Sequence, residues 1–318
     1  MKALDLPRKF LAHLLGLPDS LGALHRKIDE TKVLAAGGLV RNVRLGAALD
    51  GLREAEFKVF SQFGDDGILQ YLVSHAAIED DSFIEFGVAD YAESNTRFLL
   101  VNDNWRGLVI DSGAKNIRTI RRDSIFWRHE LLAIHALVTR ENVNDLIGGS
   151  GIGPRPSVLS IDIDGNDYWV WEALQVVTPS IVVIEYNCLF GARRALTIPY
   201  QADFDRAHAH YSGLFWGCSL RALGLLAERK GYVFVGCNSS GNNAYFVRRD
   251  RLGSVKPASL ETGFVDSRVR DSRDRKGALT FVGGVARLRL IQDLEVWDLE
   301  ANRMVRLADV FSEKTPGR

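Results

Sequence analysis

Cysteine is scarce: Cys188, Cys218 and Cys237 are the only three in 318 residues, widely spaced and without a C-x-x-C pair. That excludes a disulfide framework and a cysteine metal finger, and it suits a reduced, cytoplasmic setting. Long apolar runs are missing too, since none approaches the roughly 20 residues that span a bilayer. The run Phe10 to Leu15 is interrupted by His13 and followed by no small-residue cleavage site, so it reads as a packed helix rather than a signal peptide. Such amino-terminal helices are also the expected surface for a homodimer. Forty basic residues balance forty acidic ones, so no global field favours nucleic acid as a partner. There is no internal repeat and no low-complexity segment.

What is present is an alternation of short apolar runs and amphipathic segments. Residues 1–58 read as a helical extension, with Gly37-Gly38 as a break. Ser61-Gln62-Phe63-Gly64-Asp65-Asp66-Gly67 is a polar loop before a helix, and the bland reading of Asp65 or Asp66 is no more than an N-cap. Strands are expected at 83–88, 107–111, 131–138, 158–162 and 180–185, with helices between them, one capped by Thr139. Residues 188–213 read as an insertion, and 231–235 with 243–247 as an antiparallel pair. After Asp250 the composition shifts toward arginine and aspartate, with strand fragments around 290–299 and 304–307. The expected organisation is a domain over 59–250 flanked by the extension and a carboxyl-terminal appendage over 251–318.

The densest chemistry is Ser160-Ile161-Asp162-Ile163-Asp164-Gly165-Asn166-Asp167, three carboxylates arriving where the fourth strand must end. Capping by Asp164, Asn166 or Asp167 explains one of the three, and ligands in open α/β sheets sit outside the carboxyl ends of strands. Glu85 and Gly87 end the first strand and Asp111 the second. A strand, acid and glycine turn, then a second strand ending in an acid, is the logic of an adenosine-binding half-sheet. Gly87-Val88-Ala89-Asp90-Tyr91 lacks the further glycines that a pyrophosphate requires, which favours a ligand without phosphates.

Together with Val183-Ile184-Glu185-Tyr186-Asn187 and Asn243-Ala244-Tyr245-Phe246-Val247, these motifs resemble the class I S-adenosylmethionine-dependent methyltransferases, and in particular the FkbM-like family, over roughly residues 60–250. The resemblance implies a Rossmann-like, mostly parallel seven-stranded α/β sheet, its last strand antiparallel, with helices on both faces. It implies S-adenosyl-L-methionine as methyl donor and O-methylation of a sugar, glycan or secondary-metabolite hydroxyl. Gln62, Glu85, Gly87, Asn95, Asp111 and Asp162 are the implied donor-binding residues, with Asp162 beside the transferring methyl. Asp162 and Asp164 are candidate catalytic acids, and His210, in the insertion, a candidate general base. Relatives of this fold suggest Mg²⁺ held by Asp164, Glu185 and Asn187. Of Trp169, Trp171 and Trp216, at least two are expected in the core. The arginines from Arg268 to Arg275 either shape an acceptor site or pair with surface acids. Two rival readings stand beside this: a metal-dependent phosphohydrolase using Asp162-x-Asp164, whose motif belongs on the first strand of its fold, and a non-catalytic nucleoside-binding module.

Overall fold

The computed structural model describes residues 17–312. The helix expected over Phe10 to Leu15 lies outside them. Ten strands are described: β1 Ser82–Phe86, β2 Arg106–Asp111, β3 Leu131–His135, β4 Val158–Ile161, β5 Ile181–Glu185, β6 Leu196–Thr197, β7 Tyr232–Cys237, β8 Asn243–Arg248, β9 Glu295–Asp298 and β10 Arg303–Arg306. Seven of them form the main sheet in the order β3-β2-β1-β4-β5-β8-β7. Every pairing from β3 through β5 is parallel, and β8 alone runs against its neighbours. This is the mostly parallel, Rossmann-like sheet expected from the order of motifs.

Burial on both faces explains the continuous apolar character of these strands. Side chains alternate: Ile84, Phe86, Leu159 and Ile161 pack on one face, while Phe83, Val109, Val158 and Val183 pack on the other. The second face is covered by α2 (Asp65–His75), α3 (Arg97–Asp103) and α4 (Ala114–Arg122). The first is covered by α5 (Val143–Gly148), α6 (Asp167–Ala173) and α7 (Leu220–Lys230). Trp171 is wholly buried there, Trp169 packs against the same cluster, and Trp216 lies elsewhere.

The long helix α1 (Leu17–Leu45) runs straight through Gly37-Gly38, so the expected break is absent. Two glycines cost about 1 kcal/mol each in a helix interior. Ala36 and Val40, buried beside them against Val59, Phe60 and Phe98, supply packing that offsets this. Thr139 is not the cap of α5; Asn142 takes that position and its side-chain oxygen accepts the Thr139 N–H at 2.8 Å. Neither Asp65 nor Asp66 caps α2, which begins after Gly64.

The insertion and the appendage meet in a second sheet, β10-β9-β6, where β6 of the insertion pairs antiparallel with β9 of the appendage. Residues 285–291, partly read as strand, form the helix α8 (Val285–Ile291), and its Ile291 joins Phe190, Leu196, Ile198 and Val296 in a separate core. No described helix is long and apolar enough to cross a membrane.

Candidate active site

Three strand ends build the site. The turn after β1 passes so close to the turn after β4 that a Cβ on Gly87, at φ +75°, would lie 1.6 Å from the Asp162 carbonyl oxygen. Only glycine fits that contact. The glycines missing further along are replaced by Ala89 at φ +48° and Tyr91 at φ +64°. A left-handed backbone costs an L-residue roughly 1–2 kcal/mol. Here it is held by the Asp111 carboxylate, which accepts the Ala89 N–H at 2.8 Å, and by Arg97, which donates to the Tyr91 carbonyl at 2.8 Å.

Glu85 is committed to the protein. Its carboxylate accepts from the Ser94 hydroxyl at 2.5 Å, the Asn95 and Thr96 N–H groups at 2.9 and 3.1 Å, the Thr96 hydroxyl at 2.5 Å and the Ser160 hydroxyl at 3.4 Å. Burial still pushes its pKa up, against those donors. Filled in this way, Glu85 anchors the turn that enters α3, and its carboxylate oxygens are occupied by protein donors, although the resemblance implied a donor-binding role for it. Asp167 is likewise structural: it accepts the Ile163 and Gly165 N–H groups, each at 2.9 Å, and burial raises it to about 6.

Asp162, Asp164 and Glu185 form a different group, with one carboxyl oxygen from each lying within 4.8 Å of the others. Glu185 Oε2 is buried without a hydrogen-bond partner. Burial, and then repulsion from Asp164 and Asp167, raises Asp162 well above the usual carboxylate range; burial and then repulsion from Asp162 does the same to Glu185. The described cation beside them is Arg206, which donates to Asp164 at 2.6 Å and to the Gly213 carbonyl at 2.8 Å. Its guanidinium lies 4.7 Å from the centre of the Trp216 ring. One guanidinium among three carboxylates leaves the group short of positive charge.

Asn187 does not join these acids. Its amide donates to the Leu214 and Trp216 carbonyls at 3.0 and 2.9 Å and its oxygen accepts from the Leu189 N–H, so it pins the loop that roofs the site.

Three cavities run side by side along the carboxyl edge of the sheet. The first, about 250 Å³, is lined by Asp111, Gly113, Asn116, Asp162 and Asp164. The second, about 280 Å³, shares Gly87, Ala89 and Asp162 with the first and adds Gln62, Glu85 and Asn95. The third, about 170 Å³, shares Gln62, Phe63 and Asn242 with the second and is lined by Glu185, Asn187, Arg206, Trp216 and Arg287. His210 lines none of the three. Its ring nitrogen lies 2.8 Å from Ser212 Oγ, and its ring is tilted 42° against Tyr211 with 4.2 Å between centres, so its described partners are Ser212 and Tyr211 rather than the acids. Sequence reasoning does not single out Arg206 or Arg287: Arg206 stands in the same Arg-Ala-His-Ala-His stretch as His210, and Arg287 lies beyond the arginine-rich loop. Their signal is burial, which a sequence does not print.

No family profile matches this sequence, and no curated protein does. Among solved structures, the chain is similar to an O-methyltransferase from Bacillus cereus in complex with SAH, at 10% identity over 68% of this chain and 89% of that one, with a TM-score of 0.36. It is similar to Aeropyrum pernix fibrillarin with natively bound S-adenosyl-L-methionine, at 10% identity over 57% and 73%, with a TM-score of 0.35. A third is an S-adenosylmethionine-dependent methyltransferase from Clostridium acetobutylicum, at 8% identity over 57% and 89%, also with a TM-score of 0.35. Likeness this distant carries no argument about activity, which rests on the residues of the chain.

Proposed function

We propose that the chain is an S-adenosylmethionine-dependent methyltransferase acting on a hydroxyl oxygen of a small polar acceptor, of sugar, glycan or secondary-metabolite type. The observation that carries this reading is the row of three adjoining cavities with Asp162 where the first two meet. An adenosine fits the first cavity, where Asp111 spends one carboxylate oxygen on Gly113 and Asn116 but the other on the Ala89 N–H alone. A carboxylate oxygen accepts two bonds, so one remains for a ribose hydroxyl. The amino-acid end belongs in the second cavity, where Gln62, Asn95 and the exposed Asp90 take the place of the saturated Glu85. The third cavity then holds the acceptor against Trp216 and Arg206.

When bound, the donor supplies an electrophilic methyl on a cationic sulfur, and the uncompensated acids around Asp162 match that charge. The acceptor hydroxyl gives its proton to an Asp162 carboxylate oxygen as its own oxygen bonds to the methyl carbon, and the carbon–sulfur electron pair stays on sulfur. Glu185 holds the hydroxyl in line, and the apolar roof of Leu214 and Trp216 excludes water. The phosphohydrolase alternative gains no support, because Asp162-x-Asp164 follows the fourth strand rather than the first. Asp162→Asn tests the assignment. Loss of a positioned base costs about 10²–10⁴ in turnover, whereas affinity for S-adenosylhomocysteine stays within about threefold. An Asp162→Asn enzyme that transfers label from methyl-labelled donor to an acceptor panel at the wild-type rate would remove Asp162 from catalysis.

The orphaned Glu185 oxygen favours a second element in the same site. Asp162, Asp164 and Glu185 fit a divalent cation such as Mg²⁺, with Asp162 replacing the Asn187 of the sequence-based set. Such an ion would draw the acceptor oxygen close and make its proton easier to lose.

A further inference from the structure

We propose that a flank formed by the outward face of α4, the segment 122–129 and residues 22–34 of α1 docks the protein onto an anionic lipid bilayer. The chain carries no net charge, yet α4 reads Ala-Lys-Asn-Ile-Arg-Thr-Ile-Arg-Arg with no acid in it. Ile117 and Ile120 are buried against the sheet, which turns Lys115, Arg118 and Arg122, spaced three and four residues apart, outward to solvent. None of these three makes an ion pair among the described residues.

The next segment adds apolar bulk. Trp127 is 74% exposed, with the Arg128 guanidinium 5.1 Å from its ring centre. Arg122 and Arg128 line a cleft of about 680 Å³ whose other wall is α1, including Val33 and Leu34, and Leu34 is 81% exposed. Leu24 and Ile28 of α1 are also exposed. Two of the three acids lining this cleft are paired, Asp29 with Arg97 at 3.3 Å and Glu30 with Lys27 at 2.9 Å, while Asp123 accepts the Ile125 N–H at 2.9 Å and keeps its charge. The face therefore presents unpaired cations beside exposed leucine and tryptophan.

A lipid surface matches both halves of that description. Arginine and lysine reach anionic headgroups while tryptophan and leucine enter the boundary with the acyl chains. A nucleic acid would satisfy the cations but leave the aliphatic side chains without a counterpart. With no described helix able to span a bilayer, the contact is peripheral.

The test is co-sedimentation of the full chain with vesicles of phosphatidylcholine alone and with vesicles that also contain phosphatidylserine. Each is run at low and at high salt as the electrostatic control, with binding to a labelled single-stranded oligonucleotide measured in parallel. The expected result is binding to the anionic vesicles only, abolished by high salt. The double variant Arg118→Glu/Arg122→Glu should lower vesicle affinity at least tenfold, and Trp127→Ser should lower it several-fold at unchanged salt sensitivity; circular dichroism melting checks that both are folded. No binding to anionic vesicles at low salt, equal binding by a folded charge-reversed variant, or binding to the oligonucleotide without binding to vesicles would each overturn the proposal.

Discussion

Glu85 lies within the last two residues of β1 and Asp162 immediately follows the neighbouring β4, and each comes after a short apolar run. Their partners separate them. Five donors fill Glu85, whereas Asp162 faces two further carboxylates and a single arginine. The strand-end position of each was readable from the sequence, because an apolar run closed by an acid and a glycine marks it. The donors to Glu85 were not, because Ser160 comes from a strand 75 residues away. The same holds for Asn187, whose amide is claimed by a loop 27–29 residues downstream. At the acid group, a bound divalent cation should raise the thermal midpoint by a few degrees at saturating Mg²⁺, as any ligand specific to the native state does. Melting curves with and without Mg²⁺ read this, and Glu185→Gln should remove the shift. An unchanged wild-type midpoint would leave the carboxyl pair to act without metal.

Among the elements, the turns carry what the pattern of strands and helices concealed. The order of strands followed from periodicity, but the glycine-poor turn after β1 works only because Asp111 and Arg97 hold Ala89 and Tyr91 in left-handed conformations. The first turn of α2 is similar. Asp66 does not cap its own helix; one carboxylate oxygen accepts the N–H groups of Val59, Phe60 and Ser61 and the Ser61 hydroxyl, all within 2.7–2.8 Å. Its other oxygen is buried without a partner, and burial raises the group to about 6 despite those donors. With a folded pKa above the unfolded one, the native state binds the extra proton, so this stabilisation is present at about pH 4 and is lost as pH rises to about 6. The two-unit shift corresponds to roughly 3 kcal/mol. Urea denaturation of the wild type and Asp66→Asn at several pH values should show their stability difference changing by about that amount across the window. A difference independent of pH would contradict it.

For the whole molecule, the insertion and the appendage are joined by β6 and β9, and both supply walls to the third cavity. A sequence reading treats them as two segments because some hundred residues separate the paired strands. Arg287 of the appendage is buried there, donating to the Val269 carbonyl at 3.0 Å and to Asp266 at 3.1 Å, with its Nε unpartnered. Replacing it by alanine should weaken acceptor use at least tenfold in kcat/KM and leave donor affinity within about threefold, since Arg287 lines neither of the first two cavities. Donor affinity falling in step with acceptor use would instead mark Arg287 as a support for the whole edge.

The most direct measurement is isothermal titration of the full chain with S-adenosylhomocysteine, S-adenosylmethionine and NAD in parallel, repeated on Asp111→Ala. Binding of the first two but not of NAD is expected, with the variant weakened by about 1–3 kcal/mol for the ribose hydroxyls left unpaired. No binding of S-adenosylhomocysteine or S-adenosylmethionine by the folded wild type, or equal affinity in Asp111→Ala, would contradict the placement of a methyl donor in this site.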